Sequence, residues 1–311
     1  MKTNFIDIDL SNQDFQKFRF VAQISGLASW QLNPIMLSHG WINLPPFRRF
    51  SNGFIYSFFL EENFPVSVLV KREKKGVSCF IDTQISITQQ KLMTEFIDRI
   101  LSLDFPIQNF RLLCKERGEK DFLFLSRRGW GRMLRSATPW EDAVKTLCTT
   151  NASWSHTVKM CSELVELGGA VTQSGLRTFP APKNILETIQ PEKGAISLGY
   201  RLESLRQLAD RSISRDSWMC RLVLDLPEEE LKERISSWRG FGPYATQHLM
   251  VLLGFHSYLP VDREVGKYIG VHSPGKRFKP GSLPHFDSWG EYRFTAYKLT
   301  RVLTKMNWIG S

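Results

Sequence analysis

Several features that would settle the class of this 311-residue chain at once are missing from it. No apolar run approaches the roughly 20 residues that span a bilayer. The longest runs, Phe54 to Leu60 and His248 to Phe255, suit strands or turns of buried helix. Cysteine is sparse: five residues, at 79, 114, 148, 161 and 220, with no CxxC and no compact His/Cys cluster. That pattern argues against a disulfide framework, a zinc site and an iron–sulfur site. The default compartment is then a reducing cytoplasm, around the nucleoid or in the nucleus according to source. Met1-Lys2-Thr3-Asn4 runs into Asp7 and Asp9 with no long apolar core behind, so a signal peptide is not expected. Internal repeats and low-complexity tracts are missing too. With 42% hydrophobic and 23% charged residues, disordered and fibrous classes are excluded.

Acidic residues are the minority charge. There are 31 against 41 basic ones, a formal net charge of +10. Residues 1–125 hold 15 basic and 13 acidic side chains, and residues 126–311 hold 26 and 18. The excess therefore sits in the C-terminal part, where it suits a polyanionic partner, nucleic acid first, and equally suits mere solubility. Arg127, Arg128, Arg132 and Arg135 form one basic cluster, and Lys276, Arg277 and Lys279 another. Either can track phosphates or simply face solvent.

The chain divides by texture into an α+β part, residues 1–126, and an all-helical part, residues 127–311. Phe54 to Leu60, Val66 to Val70 and Val77 to Ile81 read as strands of an antiparallel sheet, with turns at Glu61–Pro65 and Lys71–Gly76. The second turn is a charged, solvated tip. Leu92, Phe96, Ile97 and Ile100 predict a helix over Thr88–Leu103, and Phe122 to Leu125 reads as a last strand. Beyond residue 127, Thr138-Pro139-Trp140-Glu141 predicts a helix start with a capping box. Further helices are expected over Ser155–Leu167, closed by Gly168-Gly169, and over Arg201–Asp210 and Leu222–Asp225.

Residues 228–265 carry the chemistry. Glu228, Glu229 and Glu230 open a helix whose apolar stripe is Leu231, Ile235 and Trp238. Gly240-Phe241-Gly242 then makes a tight hairpin in which glycine permits positive φ and close approach of a ligand. Pro243 starts the next helix, and its N-terminus can face an anion such as a DNA phosphate. Twenty residues past Gly242 comes Asp262, after Leu259-Pro260-Val261. Its carboxylate can polarise water or stabilise a cationic sugar. It can equally cap the segment that follows, and both roles can hold together.

Trp238-Arg239-Gly240-Phe241-Gly242 followed by Pro260-Val261-Asp262 resembles the helix-hairpin-helix DNA glycosylase superfamily, which carries a Leu-Pro-Gly-Val-Gly hairpin and a catalytic Asp in a Pro-Val-Asp context. The resemblance implies that Asp262 is catalytic and that Arg239, Gly240 and Gly242 meet double-stranded DNA. Trp140 to Asn151 is similar to the segment before the DNA-probing residue of 8-oxoguanine glycosylases, which implies that Asn151 is a DNA contact; a helix cap before Ser153 or Ser155 is the other reading. The β-rich part resembles the sheet domain of those enzymes and of 3-methyladenine glycosylase II. Trp289 to Tyr292 looks like the wall of the base pocket. Pocket candidates are Tyr244, His248, Trp154, Trp289 and Tyr292, with Trp130 and Phe241 behind them.

One departure from the family pattern bears on mechanism. Bifunctional members carry a lysine two residues after the second hairpin glycine, where this chain has Tyr244. A phenol forms no imine, which implies a monofunctional enzyme without lyase activity, metal or redox cofactor. A monomer is expected. Alkylated purines lead as the excised base, with few general acids visible near the hairpin. Oxidised purines come second, and a hypermodified phage base, excised in antiviral defence, third. The rivals are a non-catalytic helix-hairpin-helix module that only binds DNA, and a lyase or endonuclease.

Overall fold

The computed structural model describes residues 15–189, 197–213, 226–262, 265–266, 268 and 284–305. Its N-terminal part is one five-stranded sheet: β1 (Arg19–Gln23), β2 (Arg48–Phe50), β3 (Gly53–Glu61), β4 (Phe64–Glu73) and β5 (Gly76–Ile81). The order is β1-β5-β4-β3-β2, and every pairing is antiparallel. All three strands expected from β-branched and aromatic runs are present. Alternation along β3 sends Phe54, Tyr56 and Phe58 to the main core. Ile55 turns to the opposite face, where it packs with Phe18, Phe50 and Leu69.

Helices follow the sheet: α1 (Leu32–Met36) between β1 and β2, then α2 (Ile87–Ile100), α3 (Ile107–Glu116) and α4 (Lys120–Arg127). Ser86 and Gln89 form a reciprocal capping box at the start of α2. Phe122 to Leu125 is helix, not strand. Phe122, Leu125 and Ser126 are buried at helical spacing on one side of α4. A four-residue apolar run carries no period of its own, and packing decided it.

The helical part contains α5 (Pro139–Thr149), α6 (Trp154–Gly168), α7 (Pro182–Thr188), α8 (Arg201–Ile213), α9 (Glu228–Ser236), α10 (Pro243–Leu252) and α11 (Arg293–Lys305). Thr138 caps α5 by accepting from the Glu141 amide. The Glu141 side chain does not close a capping box. It turns into the core to meet Lys145 and Tyr56. The expected helix over Leu222–Asp225 lies outside the described residues, as do Lys276, Arg277 and Lys279. No described helix is long and apolar enough to cross a membrane. One continuous core runs from Ile24 to Leu303, so sheet and helices share a single interior across residue 126.

Candidate active site

The hairpin between α9 and α10 is held from within. Leu231 and Ile235 anchor α9 in the core. Trp238 meets Phe241 edge-on, with ring centroids 5.1 Å apart, and the Phe241 amide donates to the Trp238 carbonyl at 3.0 Å. Gly240 has φ +90°, and a Cβ there would lie 2.6 Å from Leu147 Cδ1 of α5. Chirality and crowding both demand glycine at that position. Gly242 differs from the expectation: its φ is −71°, ordinary extended backbone. What it contributes is space, because a Cβ there would meet nothing within 4 Å. Gly242 is the N-cap of α10, and Pro243 occupies the first turn. Arg239, Gly240 and Gly242 are all exposed, so the free amides of the first turn of α10 open outward beside a guanidinium.

Behind the hairpin α10 presents a different face to a cavity of about 330 Å³, lined by Tyr244, His248, Asp262, Tyr297, Lys298 and Arg301 among others. Tyr244 and His248 lie one turn apart, and their rings stack at 5.6 Å with 9° between planes. Burial, then the Asp262 carboxylate, push the Tyr244 phenol up to about 12, opposed by a hydrogen bond with Thr149. Burial first and the Lys298 charge second bring His248 down to about 4, so its ring is neutral at pH 7. His39 is likewise held well below the usual histidine range by burial, and its ring contacts the Leu134 carbonyl. Lys298 falls to about 8, through burial and then Lys305 and Arg301, with Asp262 opposing.

Asp262 is exposed at the cavity edge. Its Oδ1 accepts from the Val265 amide at 2.7 Å, and its carbonyl accepts from Gly266 at 2.9 Å. The carboxylate is therefore both a cap and a cavity group. The cap fixes its orientation.

The other candidates fall in different places. Asn151 is exposed just past the end of α5, with φ 47°, a left-handed conformation that asparagine tolerates. Trp154 packs on Gly40 and is not among the cavity-lining residues. Trp289 and Tyr292 lie elsewhere. They are buried against Phe110, with Phe122 also on Trp289, and do not line the cavity. The basic cluster at 127–135 is half internal. Arg135 is buried and ion-paired with Asp104, and Arg132 is buried with its Nε on the Ser102 carbonyl. Only Arg127 and Arg128 of that cluster are exposed.

Sequence reasoning missed Lys298, Arg301 and Lys305, which line the cavity from α11. Their spacing of three and four residues was the available signal, one basic stripe on one helix face.

No family model matches the sequence. The N-glycosylase/DNA lyase of Saccharomyces cerevisiae is 24% identical over 223 residues, a stretch covering 67% of this chain and 58% of that protein. Among solved structures, the 3-methyladenine DNA glycosylase of Archaeoglobus fulgidus superposes with a TM-score of 0.63 at 16% identity, covering 89% of this chain and 96% of that one. The 8-oxoguanine glycosylase/lyase of Clostridium acetobutylicum, in its apo form, gives 0.61 at 17% identity, covering 84% and 92%. With hairpin, cavity and carboxylate in this arrangement, the chain has the fold of the helix-hairpin-helix DNA glycosylases.

Proposed function

We propose that this protein is a monofunctional DNA glycosylase, which hydrolyses the N-glycosidic bond of a flipped base and leaves an abasic site. The observation that carries the reading is Asp262: an oriented carboxylate at the edge of a cavity floored by the stacked Tyr244–His248 pair, behind a hairpin whose amides face outward.

In this reading the first-turn amides of α10 and Arg239 hold the phosphate beside the target nucleotide. The base leaves the stack, at a cost of a few kcal/mol, and enters the cavity. The C1′–N bond breaks with both electrons going to the base. Asp262 stabilises the cationic sugar, and water adds to C1′ while its proton passes to the carboxylate or to solvent. Asn151, at the end of the helix that supports Tyr244, serves the DNA side. Tyr244 in place of an amine supports hydrolysis without an imine; the amines among the described cavity-lining residues are Lys298 and, at the rim, Lys305.

Asp262→Asn tests the assignment. Removing the charge that faces a developing cation should slow single-turnover base release at least about 100-fold. Binding to abasic-site DNA should stay nearly intact. A variant that keeps more than about a tenth of the wild-type rate, a barrier change under about 1.4 kcal/mol, overturns the role of Asp262. Borohydride treatment during turnover should trap no protein–DNA adduct.

A further inference from the structure

We infer that Lys298 of α11 is the group that meets the departing base, and that it selects neutral bases, which leave as anions, over bases that already carry a positive charge. The inference rests on the glycosylase reading above and names its substrate class.

Three basic residues, Lys298, Arg301 and Lys305, line the cavity from one face of α11, and the same three also line an adjoining cavity of about 170 Å³ next to Trp130, Arg132 and Met133. They are not equivalent. Arg301 lies over the Tyr268 ring at 4.9 Å, and Lys305 is exposed at the rim. Lys298 is half-buried, with Nζ 6.0 Å from the Phe294 ring centroid. Among the described residues no hydrogen bond or ion pair reaches its ammonium.

The groups around it are Tyr244 and His248 of α10, Asp262 of the following loop, His39 from the segment before β2, and Tyr297, Arg301 and Lys305 of its own helix. Both histidines are held neutral by burial. Among the described residues the cavity therefore holds three formal positive charges against one carboxylate.

That balance opposes entry of a cationic N-methylpurine. It favours a base on which negative charge develops as the bond breaks. A neutral base takes both electrons of the C1′–N bond. The Lys298 ammonium gives it a proton, water adds to C1′ and releases a proton to Asp262 or solvent, and the lysine is recharged from solvent. A cationic base leaves neutral and needs no such proton. The shortage of acids near the hairpin, which pointed to alkylated purines from sequence, is met from α11. Burial, then Lys305 and Arg301, bring Lys298 down to about 8, against Asp262, so it is still charged at pH 7 yet far more acidic than an ordinary lysine.

The experiment is single-turnover base release by the full chain from duplexes carrying 8-oxoguanine, hypoxanthine or 7-methylguanine. Wild type should release at least one of the two neutral bases. K298M should slow that release about 50-fold or more, and leave 7-methylguanine release no slower than in wild type, or faster. Wild-type release of the neutral base should fall as pH rises past about 8. K298R, which keeps charge and bulk, should move that limb upward, and this holds as the criterion should K298M fold poorly. Equal slowing of neutral and cationic bases, an unmoved limb in K298R, or wild-type release of 7-methylguanine alone overturns the inference and leaves the glycosylase reading standing. A borohydride-trapped adduct lost in K298M overturns it too, by making Lys298 an imine-forming nucleophile. Retention of base release by Asp262→Asn instead strikes the reading beneath.

Discussion

Lys145→Met is expected to cost this protein a large share of its stability, although Lys145 touches neither cavity nor hairpin. Lys145 is fully buried in the middle of α5, with Nζ 2.6 Å from Glu141 Oε1. Glu141 Oε2 accepts the Tyr56 hydroxyl of β3 at 2.6 Å, and that hydroxyl accepts from the Ala137 amide at 2.9 Å. Burial raises the Glu141 pKa and the Lys145 charge opposes the rise. Burial, and then Glu141, hold the Tyr56 phenol well above its usual value. Methionine keeps most of the volume, so cavity formation contributes little. What remains is a buried carboxyl without its cation, a loss of about 3–5 kcal/mol, against a typical total of about 5–15. Urea unfolding followed by tryptophan fluorescence measures it. The double variant E141Q/K145M removes both charges and should recover to within about 2 kcal/mol of wild type. A loss under about 1 kcal/mol in K145M, or a double variant no more stable than the single one, refutes the view that the charge balance holds sheet to helix here.

The hairpin glycines should separate by function. Gly240→Ala combines positive φ with a 2.6 Å approach to Leu147 and should lower stability by about 1–3 kcal/mol. Gly242→Asp enters open space, so its melting temperature should stay put while DNA affinity drops alike on all sequences; a sequence-dependent loss contradicts a hairpin that reads only the backbone. Burial, and the nearby Arg135 charge, lower His256 to about 3, and its ring stacks on Phe105 at 4.1 Å. The unfolded chain therefore binds a proton near pH 6.5 that the folded chain refuses. Stability from this group is present above pH 6.5 and is lost as pH falls toward 3, by about 1.4 kcal/mol per unit. H256Q should flatten the acid limb of a stability–pH curve by that slope, and an unchanged limb would reject the assignment.

What was legible in the sequence follows from the physics of each signal. The strands carry their own period, so Phe54 to Leu60 and its neighbours were readable. Phe122 to Leu125 was not, because four apolar residues suit a buried strand or a helix equally. The hairpin was legible because glycine at tight backbone is a local requirement, and Asp262 falls at the cavity edge because its distance along the chain from that hairpin is short and fixed. Of the pocket aromatics, Tyr244 and His248 line the cavity, whereas Trp154, Trp289 and Tyr292 do not. Trp289, Tyr292 and Trp154 are aromatic for packing, and sequence reports burial without saying which interior surface a ring faces. Lys298 was invisible for the opposite reason. A basic residue in a basic helix reads as surface, and only the docking of α11 beside α10 turns it inward.

The sheet is more than an attachment to the site. His39 and Met133 line the cavity together with residues of α10, the Asp262 loop and α11. The His248 ring lies 5.1 Å from Trp41 and 6.4 Å from His39. Trp41 is itself aimed by its indole N–H, which donates to Asp142 Oδ1 at 2.8 Å, and Oδ2 of the same carboxylate pairs with Arg99 of α2 at 2.6 Å. Asp142 belongs to α5, the helix whose Thr146 and Thr149 reach His248 and Tyr244 and whose Leu147 crowds Gly240. One helix thus sets the hairpin, the stacked pair and the wall behind it, and the ion pair from Arg99 and the hydrogen bonds from Trp41 and Tyr56 that seat that helix come from residues before 127. Cutting the chain between residues 126 and 127 would strip His248 of Trp41 and His39, leave Asp142 and Glu141 without Arg99 and Tyr56, and open the cavity to water. The boundary visible in composition is therefore not a boundary of the candidate site.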